Sequence, residues 1–110
     1  MSARRRRLLL TSDARQELSD ILLYSEQQWG KPQRTAYKKL LQESMRTLAQ
    51  SPFIGRPRDE LSAGLRSHPA GSHIIYYWTT DTTLVVAHIF HTRHDTAAKR
   101  WVRPDADETP

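Results

Sequence analysis

The stretch from Gly71 to Asp95, GSHIIYYWTTDTTLVVAHIFHTRHD, constrains the fold of this chain more than any other. Two runs of β-branched and aromatic residues, His73–Thr79 and Thr83–His91, flank the polar Thr80-Asp81-Thr82, which is the pattern of a β-hairpin. Side chains alternate along a strand, so in the second run Leu84, Val86 and Phe90 are expected on one face and Val85, Ala87 and Ile89 on the other. Both faces are then apolar, as in a strand inside a sheet and covered on both sides. The apolar pattern stops at His91-Thr92-Arg93-His94-Asp95, where polar groups gather at the edge of an expected working surface.

The chain before the hairpin supplies the cover. Arg6–Thr11 reads as a first strand with Leu8, Leu9 and Leu10 as its buried part. Ser12 suits a helix N-cap and Asp13 the first turn. Ala14, Leu18, Ile21, Leu22, Ser25 and Trp29 follow at helical spacing, until Gly30 stops the helix and Pro32 opens the next. A second stripe, Ala36, Tyr37, Leu40, Leu41, Ser44 and Leu48, runs until Pro52 disfavours helix at Ser51. Two helices so closely linked form a helical hairpin, with both stripes expected in the core. Ser51–Ala63 reads as a loop with one helical turn at Asp59–Leu61, and Leu65–Pro69 as a short strand before a turn at Ala70-Gly71. After Asp95, Ala97–Val102 suits a short helix with Trp101 docked on the body, and Pro104 onward reads as disordered. The expected fold class is α+β, in the order β-α-α-β-β-β, with the helical hairpin packed on a small, mostly antiparallel sheet. One domain is expected over residues 1–103, with a disordered tail over 104–110.

A chain of 110 residues buries one core. Its formal charge of +5, from 17 Lys and Arg against 12 Asp and Glu, favours an anionic partner, although Arg4–Arg7 alone carries four positive charges. There is no cysteine, so disulfide and thiolate chemistry are excluded and a reducing compartment is natural. No apolar run is long enough to span a bilayer, and Leu8-Leu9-Leu10 is too short for a signal-peptide core, so a cytoplasmic protein is expected.

Few chemical motifs stand out. His88, His91 and His94 are evenly spaced, but His88 and His91 fall on opposite faces of a strand, so no metal is expected. There is no glycine-rich phosphate loop and no nucleophile elbow, and no cofactor is expected. Ser72 adjoins His73, yet strand neighbours point apart, which argues against a Ser–His dyad. A ribonuclease that uses the RNA's own 2′-hydroxyl needs an acid, a base and cations; His91, His73 and Glu60 are candidates for the first two, Arg66 and Arg93 for the last.

Taken in order, Tyr24, Trp29-Gly30, Ala36-Tyr37, Leu48-Ala49, Pro52, Ile54-Gly55-Arg56, Asp59-Glu60-Leu61, Gly64-Leu65-Arg66-Ser67, Gly71-Ser72-His73, Tyr76-Tyr77 and His88 to Asp95 resemble the RelE/ParE toxin superfamily, and within it the ParE branch. The resemblance covers Arg6 to Asp95 and rests on the ordered set. It implies the toxin of a type II toxin–antitoxin pair, held in a hetero-oligomer by a small, acidic, ParD-like antitoxin. It further implies inhibition of DNA gyrase without catalysis by the toxin; the alternative is a RelE-like, ribosome-dependent endoribonuclease on the same fold. RelE-like enzymes commonly carry a C-terminal tyrosine. None follows Tyr77 here, and Trp78 stands where the family usually has arginine. The expected antitoxin- or target-binding residues are Arg56, Arg66, His73, Tyr77, His91, Arg93 and Asp95, with His91, Arg66 and Arg93 the catalysts of the ribonuclease alternative.

Overall fold

The computed structural model describes residues 5–94, Thr96 and Trp101. Asp95, the expected helix over 97–102 apart from Trp101, and the expected tail lie outside the described residues. The elements run β1 (Arg7–Leu10), α1 (Ser12–Trp29), α2 (Lys31–Gln50), a 3-10 turn (Pro52–Ile54), β2 (Arg56–Pro57), β3 (Arg66–Ala70), β4 (His73–Thr79) and β5 (Thr83–His91). They form one five-stranded sheet in the order β1-β5-β4-β3-β2. All neighbours are antiparallel except β1, which lies parallel to β5 with Leu8 beside Leu84 and Leu10 beside Val86. The α+β class, the helical hairpin and the mostly antiparallel sheet are as the sequence implies.

The helices cover one face of the sheet. Ala14, Leu41, Met45, Leu48, Ile75, Tyr77, Leu84, Val86 and Ile89 pack there as the main core. On the opposite face Leu65, Tyr76, Trp78, Ala87 and Phe90 make a second cluster, against which Leu61 and Trp101 pack. Both faces of β5 are therefore buried. The alternation expected along β5 fails halfway, however. Tyr76 pairs with His88 and Tyr77 with Val86, which leaves Ala87 as an extra residue, a β-bulge. Beyond it the faces exchange, so Ile89 joins the helix-side core and Phe90 the opposite cluster.

The bulge coincides with the start of α1. Thr11, not Ser12, is the N-cap: its Oγ1 accepts the Ala14 N–H at 3.1 Å and donates its own proton to the Ala87 carbonyl at 2.8 Å. Capping the helix and satisfying the bulged carbonyl are thus one side chain's work. One turn on, Glu17 Oε1 accepts the Ile89 N–H and Oε2 meets His88 Nδ1, both at 2.9 Å. Those contacts occupy the edge of β5 where the shorter β1 has ended, so α1 closes an otherwise open strand.

Three further differences bear on the surface. The expected stripe on α2 included Ala36 and Leu40, but both are exposed, and Met45 and Ala49 take the buried places. Trp29, the last residue of the α1 stripe, is 66% exposed. The loop after α2 is more ordered than its prolines suggest: it holds the 3-10 turn and β2, whose Arg56 and Pro57 pair with Ser67 and Arg66.

Candidate functional site

Two constellations stand apart from ordinary core packing. The first is a cleft of about 610 Å³ at the end of the hairpin, lined by Ile21, Tyr24, Ser25, Trp29, Gln33, Tyr37, Ser72, His73 and His91. Helix α1 gives the aromatic wall, where Tyr24 and Trp29 meet edge-on at 6.0 Å. Register gives the floor, since His73 at the start of β4 pairs with His91 at the end of β5. Their rings lie 5.5 Å apart, nearly perpendicular at 84°.

Tyr37 of α2 locks this floor in place. Its Oη accepts the Ser72 N–H at 2.9 Å and lies 2.6 Å from His73 Nδ1. The turn beneath it needs Gly71, which has φ +61°; a Cβ there would come within 2.7 Å of the Tyr37 ring. Burial raises the Tyr37 pKa, so the phenol stays protonated. Burial, and secondarily the neighbouring His91, lowers that of His73. At neutral pH the floor is therefore a phenol against a neutral imidazole. His91 is exposed, and its Nδ1 accepts the Arg93 N–H at 3.2 Å.

The second constellation anchors the loop after α2. Tyr77 is fully buried; its Oη donates to the Pro52 carbonyl at 2.6 Å and accepts the Gly55 N–H at 3.1 Å. A Cβ at Gly55 would collide with that oxygen, so no other residue fits. Arg66 Nη1 donates to the Gly55 carbonyl at 2.7 Å and the Phe53 carbonyl at 3.3 Å. Its guanidinium and that of Arg6 sit 5.2 Å and 5.7 Å from the centre of the Phe53 ring, which is 64% exposed. Among the described residues neither arginine has a carboxylate partner.

Of the residues expected to bind, the structure brings together His73, His91 and Arg93. Arg66 stands at the other end of the strand pair, opposite Tyr77, four residues along β4 and roughly 13 Å away by strand rise. Arg56 is exposed on β2, and Tyr77 holds a loop from inside the core, where no partner reaches it. Asp95 lies outside the described residues. Glu60 is on a separate loop, 2.8 Å from Arg58. Its own backbone N–H and then Arg58 hold its pKa below the ordinary value, which suits an ion-pair partner better than a proton shuttle. No group of three or more His, Asp or Glu among the described residues could hold a metal ion. The cleft residues that the sequence reading did not expect to bind are Tyr24, Trp29 and Tyr37, of which Trp29 and Tyr37 lie in the helical stripes expected in the core.

The sequence profile of the family described as "ParE toxin of type II toxin-antitoxin system, parDE" matches residues 8–96. The chain belongs to the ParE toxin family. It is 36% identical to Toxin ParE1 of Mycobacterium tuberculosis over 90 residues, which is 81% of this chain and 92% of that one. To Toxin ParE1 of Caulobacter vibrioides it is 40% identical over 68 residues, 62% of this chain and 71% of the relative. A solved structure described as "Chromosomal ParDE TA system from P. aeruginosa" superposes with a TM-score of 0.68 over 78% of this chain and 95% of that one. At 16% identity that likeness speaks for the ParE fold alone. The fold match nonetheless agrees with the family assignment in placing a helical hairpin on a mixed sheet.

Proposed function

We propose that this ParE-family chain is the toxin of a two-component pair, silenced by an acidic ParD-like antitoxin, and that it acts by blocking DNA gyrase with no catalytic step of its own. The observation that carries the antitoxin half is the uncovered apolar surface of α1, where Leu23, Tyr24 and Trp29 are each more than half exposed. Large exposed apolar residues beside a cleft mark a protein-binding surface. Arg6 and Arg66, without carboxylate partners among the described residues, add positive charge suited to an acidic chain. The family assignment supports the toxin role, and the similar P. aeruginosa structure comes from a ParDE pair of that organism. No helix among the described residues is long and apolar enough to cross a membrane. A gyrase target would place the chain in the cytoplasm.

The ribonuclease alternative draws on His73, His91 and Tyr37, a set of proton-transferring groups on one cleft. Both readings meet in one experiment. Purified chain is added to gyrase with relaxed plasmid and, in parallel, to ribosomes programmed with mRNA. Lost supercoiling with intact message is the expected result. Cut message with unaffected gyrase would replace the reading with the endoribonuclease one, with His91, Arg66 and Arg93 tested as its catalysts. Co-expression with a short acidic reading frame from the same operon should yield a co-eluting hetero-oligomer; a toxin that elutes alone would remove the antitoxin half.

A further inference from the structure

The lengths of the hydrogen bonds around the cleft assign a tautomer to each histidine. Tyr37 Oη already accepts the Ser72 N–H. Its own proton has two acceptors, His73 Nδ1 at 2.6 Å and the Ala70 carbonyl at 3.4 Å. The shorter contact takes it, so His73 Nδ1 is the acceptor and its proton sits on Nε2. His91 Nδ1 accepts the Arg93 N–H, so its proton is likewise on Nε2. Neither Nε2–H has a partner among the described residues. That of His73 is nonetheless open to solvent, because no buried side-chain nitrogen or oxygen among them lacks a partner. The cleft thus holds two imidazole donors on adjacent strands. Among the described residues no carboxylate lines it; its walls carry Ile21, Tyr24 and Trp29 together with the polar Ser25 and Gln33.

We propose that this cleft is a carboxylate-recognising subsite, and that it takes from the acidic antitoxin an Asp or Glu flanked by a large apolar side chain. The carboxylate would accept from His73 and His91 while the apolar neighbour lies between Tyr24 and Trp29. Two donors that lack an acceptor suit a carboxylate better than a cation or an alkyl group, and hydrogen bonds to a charged acceptor are the stronger kind. The cleft is also of ligand size, with an aromatic wall from Tyr24 and Trp29 beside a polar floor. The choice of occupant rests on the antitoxin reading above; the chemistry of the site does not.

The test uses nitrogen-15-labelled full chain and two probes, phenylacetate and the uncharged phenylacetamide. Long-range imidazole spectra should first show both rings protonated at Nε2; an Nδ1–H tautomer at His73 would overturn the argument. Phenylacetate should then shift the His73, His91 and Trp29 ring signals, at about tenfold lower concentration than the amide. Equal effects of the two, or none, would overturn carboxylate recognition. Replacement of the exposed residues His91→Ala and, separately, Trp29→Ala should each weaken antitoxin binding about tenfold. Antitoxin that binds both cleft variants as tightly as the native chain refutes the subsite while the two-component reading stands. Phenylacetate binding in a chain that captures no antitoxin refutes that occupant and, with it, the antitoxin reading.

Discussion

Single residues in this fold are tied to single backbone groups. Replacing Tyr77 by Phe keeps the ring but leaves the Pro52 carbonyl and the Gly55 N–H without their partner. A buried polar group left unpaired costs about 1–3 kcal/mol, so Tyr77→Phe should unfold at lower urea, with faster exchange at the Gly55 amide. An unchanged midpoint would mean that water replaces the hydroxyl. His73 has the opposite character, because its neutral form belongs to the folded state. Its pKa there lies below the unfolded value of about 6.5. Below that value the unfolded chain takes up a proton that the folded chain resists, so stability is full above about pH 6.5 and falls as pH drops toward the lowered folded pKa. His73→Gln should flatten that part of the profile in urea titrations; parallel curves for the two proteins would assign the acid sensitivity elsewhere. His73 and His91 were legible in the sequence because polar residues closing an apolar run invite attention. Tyr37 was not, since its position on α2 fits a core stripe equally well, and only the β3–β4 turn beneath it shows what its hydroxyl does.

At the scale of elements, the strands of the hairpin are where the sequence places them, His73–Thr79 and Thr83–His91, because period-two patterning and a polar turn are local signals. The bulge at Ala87 is not local. One residue too many on β5 shows only against β4, and it exchanges the faces of Ile89 and Phe90. For the same reason the exposure of Leu40 escapes a helical-wheel reading: the spacing marks a stripe, and the crossing of the helices decides which part is covered. Two-residue β2 is invisible in sequence, since Arg56-Pro57 carries no strand pattern and is held by its pairing with β3. The link between α1 and β5 is testable. Glu17→Ala removes the acceptor of the Ile89 N–H and the partner of His88. It should destabilise the domain by about 1–3 kcal/mol and speed exchange at Ile89 far more than at Ile75, in the middle of β4. Equal exchange at both sites would show that water substitutes for the carboxylate and that α1 does not guard the strand.

Over the whole molecule, the excess of positive charge is not confined to the arginine-rich start. Arg66 sits mid-chain on the sheet, and with Arg6 it flanks an exposed aromatic ring. Association with an acidic partner should therefore be steered by charge. Raising salt from about 0.05 to about 0.5 M should slow the association rate strongly and change dissociation little. A salt-independent on-rate would leave the apolar wall of the cleft as the sole attraction. The basic balance was plain from composition, but its placement beside Phe53 follows from the 3-10 turn that Tyr77 and Arg66 hold.

The parallel pairing of β1 with β5 sets an order of assembly. β1 leaves the ribosome before both helices, yet its partner in the sheet is the last of the described strands, with Arg7 beside Thr83. Until β5 has emerged, Leu8 and Leu10 have no strand to lie against, and α1 has no bulge for Thr11 to meet. Closing so long a loop is entropically slow, and it comes before the reward of the final contacts. A chain interrupted anywhere before the hairpin is thus left without its sheet and with the floor of its cleft unbuilt. A fragment released early should therefore fail to bind whatever the cleft of the whole chain takes.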